Sequence, residues 1–126
     1  MADELVTFLR DRLDENDETA RKATVRRRGG EAWSYDPPAV RAQSGMVIAE
    51  RIVPVLGEHI AGHDPARTLA EVEAKRRIIR AHDKWCQGEC EAKYPDGGFD
   101  AAYYWSIKSL AAAYGDHPAY REEWRP

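Results

Sequence analysis

The stretch Glu31-Ala32-Trp33-Ser34-Tyr35-Asp36-Pro37-Pro38-Ala39-Val40-Arg41-Ala42-Gln43-Ser44-Gly45-Met46-Val47-Ile48 decides the fold class. The chain on either side of it reads as helix, so this segment alone separates an α+β protein from an all-α one. Trp33 and Tyr35 alternate, Pro37-Pro38 breaks the chain, and Val40 to Gln43 lead into a Ser44-Gly45 turn. Met46, Val47 and Ile48 follow, and Pro54 closes the region. Residues that favour β structure, bounded by turn signals, predict two or three short antiparallel strands. A sheet this small needs a helix packed on it to be stable. The expected fold class is α+β: one mostly helical domain over residues 1–126 with a small antiparallel sheet. If residues 31–56 are irregular instead, the chain is all-α.

Upstream, Asp3 can cap a first helix whose apolar positions are Leu5, Phe8, Leu9 and Leu13. That 3/4 spacing gives one buried stripe, continued by Ala20 and Ala23. An acidic patch (Asp14, Glu15, Asp17, Glu18) precedes a basic cluster (Arg21, Lys22, Arg26, Arg27, Arg28). This order complements the helix dipole, and Gly29-Gly30 is expected to stop the element. Downstream, Val55 to Gly62 reads as a short helix weakened by Gly57. Asp64-Pro65 then pairs an N-cap carboxylate with a proline at the first helical position. The helix it starts is expected to run to about Trp85, with Leu69, Val72 and Ile79 inward and Ile78 beside them. Glu71–Lys75 and Glu73–Arg77 fall at i,i+4 in the favoured order. Residues 86–98 read as a loop, Phe99 to Tyr114 as a last helix rich in alanine and aromatics, and Asp116 to Pro126 as a tail.

The composition narrows the function classes. The chain has 126 residues, 33% charged and 43% apolar, with 19 basic against 22 acidic side chains and a net charge of -3. This length fits one domain. Its mean hydropathy of -0.69 and lack of a long apolar run argue against a membrane span. The acidic start Met1-Ala2-Asp3-Glu4 resembles neither a signal nor a transit peptide, so a cytoplasmic setting is expected. Cys86 and Cys90 would there be reduced thiols: buried filler, metal ligands or reactive groups.

Several segments together resemble a family of small uncharacterised proteins found mainly in actinomycetes and their phages. They are His59-Ile60-Ala61-Gly62-His63-Asp64-Pro65-Ala66-Arg67 with Glu71-Val72-Glu73-Ala74-Lys75-Arg76-Arg77-Ile78, the opening Leu5-Val6-Thr7-Phe8-Leu9-Arg10, and the closing Tyr114-Gly115-Asp116-His117-Pro118-Ala119-Tyr120-Arg121-Glu122-Glu123-Trp124. The likeness is weakest over residues 24–56. It implies one compact domain and a bacterial or phage source, and it specifies no activity. Many relatives carry a CxxC pair after the long helix, often with a third cysteine further on. With the histidine that ends the long helix, those cysteines imply a structural zinc site. Here the pair is spaced by three residues, Cys86-Gln87-Gly88-Glu89-Cys90, and Tyr104 or a neighbour stands where the third cysteine would fall.

Four chemistries can be set against these residues. His82, Cys86 and Cys90 could hold zinc if Gly88 turns the chain back, with His59, His63 or His117 as the fourth ligand. The plainer reading makes His82 a helix C-terminal residue and Cys86 a small hydrophobe near Trp85. His59, His63-Asp64 and His82-Asp83 faintly resemble the metal-holding pairs of HD-type phosphohydrolases, but helix-end preferences account for the same residues. His59 and His63 also lie at i,i+4, where two imidazoles could share one ion. Arg21, Lys22 and Arg26 to Arg28, near Trp33 and Tyr35, would suit nucleic acid. Residues 1–30 nevertheless carry seven acidic and seven basic side chains, which argues against nucleic acid. Finally, Phe99, Tyr103, Tyr104, Trp105, Tyr114, Tyr120 and Trp124 read either as core or as a partner surface.

By elimination, the sequence reads as a non-enzymatic protein-interaction or regulatory module. Its expected partner is another protein or a second copy of the chain. No cofactor is expected, with zinc at His82, Cys86 and Cys90 as the alternative and a metal-dependent phosphohydrolase-like enzyme as the last option.

Overall fold

A computed structural model describes residues 2–24, 28–86, 92, 94 and 97–126. The fold class is α+β, with a three-stranded antiparallel sheet and four α-helices among the described residues. The order is α1 (Ala2–Ala23), β1 (Trp33–Asp36), β2 (Ala39–Ala42), β3 (Val47–Ala49), α2 (Pro54–Gly62), α3 (Pro65–Cys86), α4 (Phe99–Ala112) and a 3-10 turn (Glu122–Trp124). The chain divides into two compact units. One comprises Met1–Asp14 and Glu73–Pro126; the other, Glu15–Val72, is inserted within it. Helices α1 and α3 each contribute residues to both.

The discontinuous unit is helical. The N-terminal part of α1 buries Leu5, Leu9 and Leu13 completely, with Val6 and Phe8 nearly so. Leu5, Phe8, Leu9 and Leu13 are the positions the 3/4 spacing selected, and Val6 joins them. Ile79 of α3 and Ala101, Tyr104, Ile107 and Ala111 of α4 are also buried, as is Trp124 of the 3-10 turn. The Phe8 ring is the hub of an aromatic cluster. Its centroid lies 5.1 Å from Trp124, 5.6 Å from His117, 5.9 Å from Tyr120 and 6.5 Å from Tyr114. Arg12 covers the Phe8 ring at 5.1 Å. Ion pairs line the exposed rim: Arg76–Asp14 at 2.7 Å, Arg121–Glu4 at 2.6 Å, and Arg10 with Asp83. At such exposure each stabilises by at most about 1 kcal/mol. Apolar burial therefore supplies most of this unit's stability.

The inserted unit holds the sheet, in order β1-β2-β3. Trp33 pairs with Ala42 and Tyr35 with Val40, so both aromatics share one face, while Ser34 and Asp36 are exposed. Pro37-Pro38, joined by a cis peptide bond, connects β1 to β2. A register shift at Val40/Arg41 precedes the pairing of Arg41 with Val47. Gly45 forms the β2–β3 turn at φ 91°, a left-handed conformation that glycine adopts without steric cost. The helix packed on the sheet is α2, which lies against β1 and β2. Its Gly57 is buried, and a Cβ there would fall 2.3 Å from Tyr35 Cδ2. The glycine that weakens the helix in isolation is what permits this close approach.

The bounds of α1 depart from expectation at both ends: the helix begins at Ala2, so Asp3 lies within its first turn and does not cap it. α1 ends at Ala23 rather than reaching Gly29-Gly30. Thr24 closes it, with its amide and its hydroxyl both donating to Arg21 O. Arg26 and Arg27 lie outside the described residues. At α3 the local signal holds. Asp64 Oδ1 accepts from the Arg67 amide at 2.8 Å, and Oδ2 accepts from the Trp33 amide at 2.9 Å. One carboxylate thus caps α3 and anchors the start of β1.

Candidate functional site

α4 is alanine-rich and apolar almost all round, so tertiary packing decides which face is inward. Ala101, Tyr104, Ile107, Lys108 and Ala111 form the buried face at 3/4 spacing. Phe99 and Trp105 remain outside, 81% and 51% exposed. Trp105 borders a cleft of about 410 Å³ together with Tyr94, Gly97, Ala101, Ala102 and Ser106. Ser106 Oγ donates to Ala102 O at 2.9 Å, so the hydroxyl is satisfied within the helix. The Tyr94 ring stands edge-on to Tyr104 at 5.3 Å. Buried Lys108 places Nζ 4.7 Å from the Tyr94 ring and 5.5 Å from the Tyr104 ring. An ammonium over two ring faces is a stabilising cation–π arrangement. The cleft therefore has apolar, aromatic walls, which suits an apolar side chain better than a polar substrate.

The aromatic segment splits between the two roles that the sequence left open. Tyr104 and Trp124 are core, Tyr103, Tyr114 and Tyr120 are half-buried, and Phe99 and Trp105 are surface. The Lys108–tyrosine cluster carries no sequence signal, because a lysine in an alanine-rich helix ordinarily reads as solvated.

The candidate zinc ligands are placed unevenly. His82 is 3% exposed on α3, with Nδ1 3.6 Å from Asp83 Oδ1, and Cys86 is the last residue of that helix. Cys90 lies outside the described residues. Among the described residues, no group of three or more His, Cys, Asp or Glu side chains is gathered as a metal centre would require. His117, one suggested fourth ligand, belongs to the Phe8 cluster. Its Nδ1 accepts from the Ala119 amide at 3.0 Å, and the Arg12 guanidinium lies 2.8 Å from Nε2.

The phosphohydrolase-like residues also have structural partners. Asp64 is the α3 cap, and Asp83 is paired with Arg10. His59 and His63 sit at the end of α2, with ring centroids 4.3 Å apart. Two residues of the basic cluster are matched by the acidic patch one turn earlier: Arg21 pairs with Asp17, and Lys22 with Glu18 at 2.9 Å. Trp33 Nε1 donates to Gly30 O, and the Tyr35 hydroxyl donates to Ile52 O. These two aromatics serve the sheet.

Residues 2–126 match the profile of a family of unknown function, DUF6221. No curated protein and no solved structure matches the chain.

Proposed function

The chain belongs to that family, whose function is unknown, and we propose from its own surface that it is a non-enzymatic protein-interaction or regulatory module. One observation carries this reading: Phe99 and Trp105 stand exposed on α4, and Trp105 borders an apolar cleft. Aromatic side chains of this kind dominate binding energy where they fill a partner's pocket, and leaving them in water is otherwise unfavourable. The proposed partner is another protein or a second copy of this chain, in a bacterial or phage cytoplasm. Residues 1–126 act as one domain in this reading, supported by the family match over 2–126 and by two helices shared between the compact units.

The test is size-exclusion chromatography with light scattering, together with co-purification from native lysate. It compares the wild type with Phe99→Ser/Trp105→Ser. The expected result is self-association or a retained protein that the double variant loses. A strict monomer that retains nothing would overturn the reading.

A second reading rests on His82, which is buried one helical turn before Cys86. In it, zinc held by His82, Cys86 and Cys90 stabilises the segment after α3. A zinc content near one per chain, and a melting temperature lowered by chelator, are what this reading requires. Zinc near zero with unchanged melting removes it.

A further inference from the structure

We propose that His59 and His63 form a two-imidazole site for a late first-row divalent cation at the C-terminal end of α2. His59 stands in the last turn of α2, and His63 is the C-cap residue that follows Gly62. Their ring centroids are 4.3 Å apart with a 38° tilt. That spacing lets small ring rotations bring one nitrogen from each to a common ion at about 2.0–2.1 Å.

The decisive contact is the bond from His63 Nδ1 to His59 O, 2.8 Å long. The carbonyl can only accept, so Nδ1 carries the hydrogen and Nε2 is left as the electron-pair donor. Metal-bound histidines are fixed in this way, with the second ring N–H donated to a carbonyl. Here the contact is supplied by the other proposed ligand's own backbone. Both side chains are exposed, so an ion reaches them directly and water completes its coordination. The helix C-terminus adds partial negative charge beside the ion.

No third His, Cys, Asp or Glu joins the pair among the described residues. The site is therefore labile and ranks ions by intrinsic imidazole affinity: copper above nickel, and nickel above cobalt. His63 also borders a cleft of about 180 Å³ lined by Asn16, Thr19, Trp33 and Thr68. The open positions of the ion are thus beside space for a small ligand.

The test is calorimetric titration of the full chain with Ni²⁺, paired with the absorption spectrum of the Co²⁺ adduct. The variants are His59→Gln, His63→Gln and Cys86→Ser/Cys90→Ser. The proposal expects one Ni²⁺ per chain and a Co²⁺ spectrum free of thiolate charge-transfer bands. Each histidine variant should weaken Ni²⁺ binding by on the order of tenfold or more, while the cysteine double variant binds as the wild type does. Circular dichroism of each apo variant confirms that the fold is retained. Unchanged affinity in both histidine variants would overturn the site. So would thiolate bands that vanish in the cysteine variant, or no binding at all by the folded wild type.

Discussion

Gly57 faces the ring of Tyr35 so closely that a Cβ on it would lie 2.3 Å from Cδ2 and 2.4 Å from Cε2. The Tyr35 ring has little freedom to move away, because its hydroxyl donates to Ile52 O at 2.5 Å. Gly57→Ala should therefore destabilise the protein. Overpacking of this kind costs about 1–3 kcal/mol, and improved helix propensity offsets up to about 1 kcal/mol. Urea denaturation of the single variant measures the net loss. In a Tyr35→Ala background the same substitution should become neutral or stabilising, and a cycle that shows simple additivity would refute the contact.

Asp64 uses both carboxylate oxygens, one on the Arg67 amide and one on the Trp33 amide. Asp64→Ala removes a helix cap and strands a half-buried strand amide, a combined loss of about 2–3 kcal/mol. Asn keeps only one acceptor oxygen, so Asp64→Asn should fall between the wild type and Ala. Thermal unfolding of the three proteins checks that order.

Glu73 accepts a side-chain hydrogen bond from Arg80, with Arg77 nearby, and this holds its carboxyl below the ordinary value of 4.5. A depressed carboxyl stabilises the fold above its unfolded value and loses that contribution as the pH falls through the folded one. Glu73→Gln should therefore flatten part of the stability loss as the pH falls from neutral to below the ordinary carboxylate range. At neutral pH it should cost little, since the pair is solvent-exposed. Denaturant midpoints measured across that range decide the matter.

Trp105 and Tyr104 are adjacent in sequence and opposite in role. Trp105→Ala should leave stability within about 0.5 kcal/mol of the wild type, as surface substitutions do. Tyr104→Ala should cost about 3–5 kcal/mol, the range for a buried aromatic. Similar losses for both would place Trp105 in the core and remove it from the proposed surface.

The same contrast shows what sequence can and cannot specify. Asp64-Pro65 was legible because capping is local: the carboxylate, the proline and the amide it serves lie within four residues. The strands were legible because Pro37-Pro38 and Ser44-Gly45 punctuate residues that favour β structure. The role of Gly57 was not legible, since its reason is a ring 22 positions earlier, brought near only by the fold. The exposed face of α4 was equally hidden. With Phe99, Tyr103, Tyr104 and Trp105 all on one short helix, apolar periodicity does not select an inner side. The zinc trio was visible as residue types, but ligand geometry depends on chain reversal after Cys86, which spacing does not fix.

The Phe8 cluster has a consequence for the protein's birth on the ribosome. Phe8 emerges 116 residues before its nearest ring neighbour, Trp124. At about 5–20 residues per second, the apolar stripe of α1 waits roughly 6–23 s for the partner that covers that ring. Synthesis therefore leaves the Phe8 ring without its nearest aromatic neighbour until the end of the described fold is made. A ribosome stalled before Trp124 would hold the discontinuous unit unfinished, however completely the inserted one had already folded.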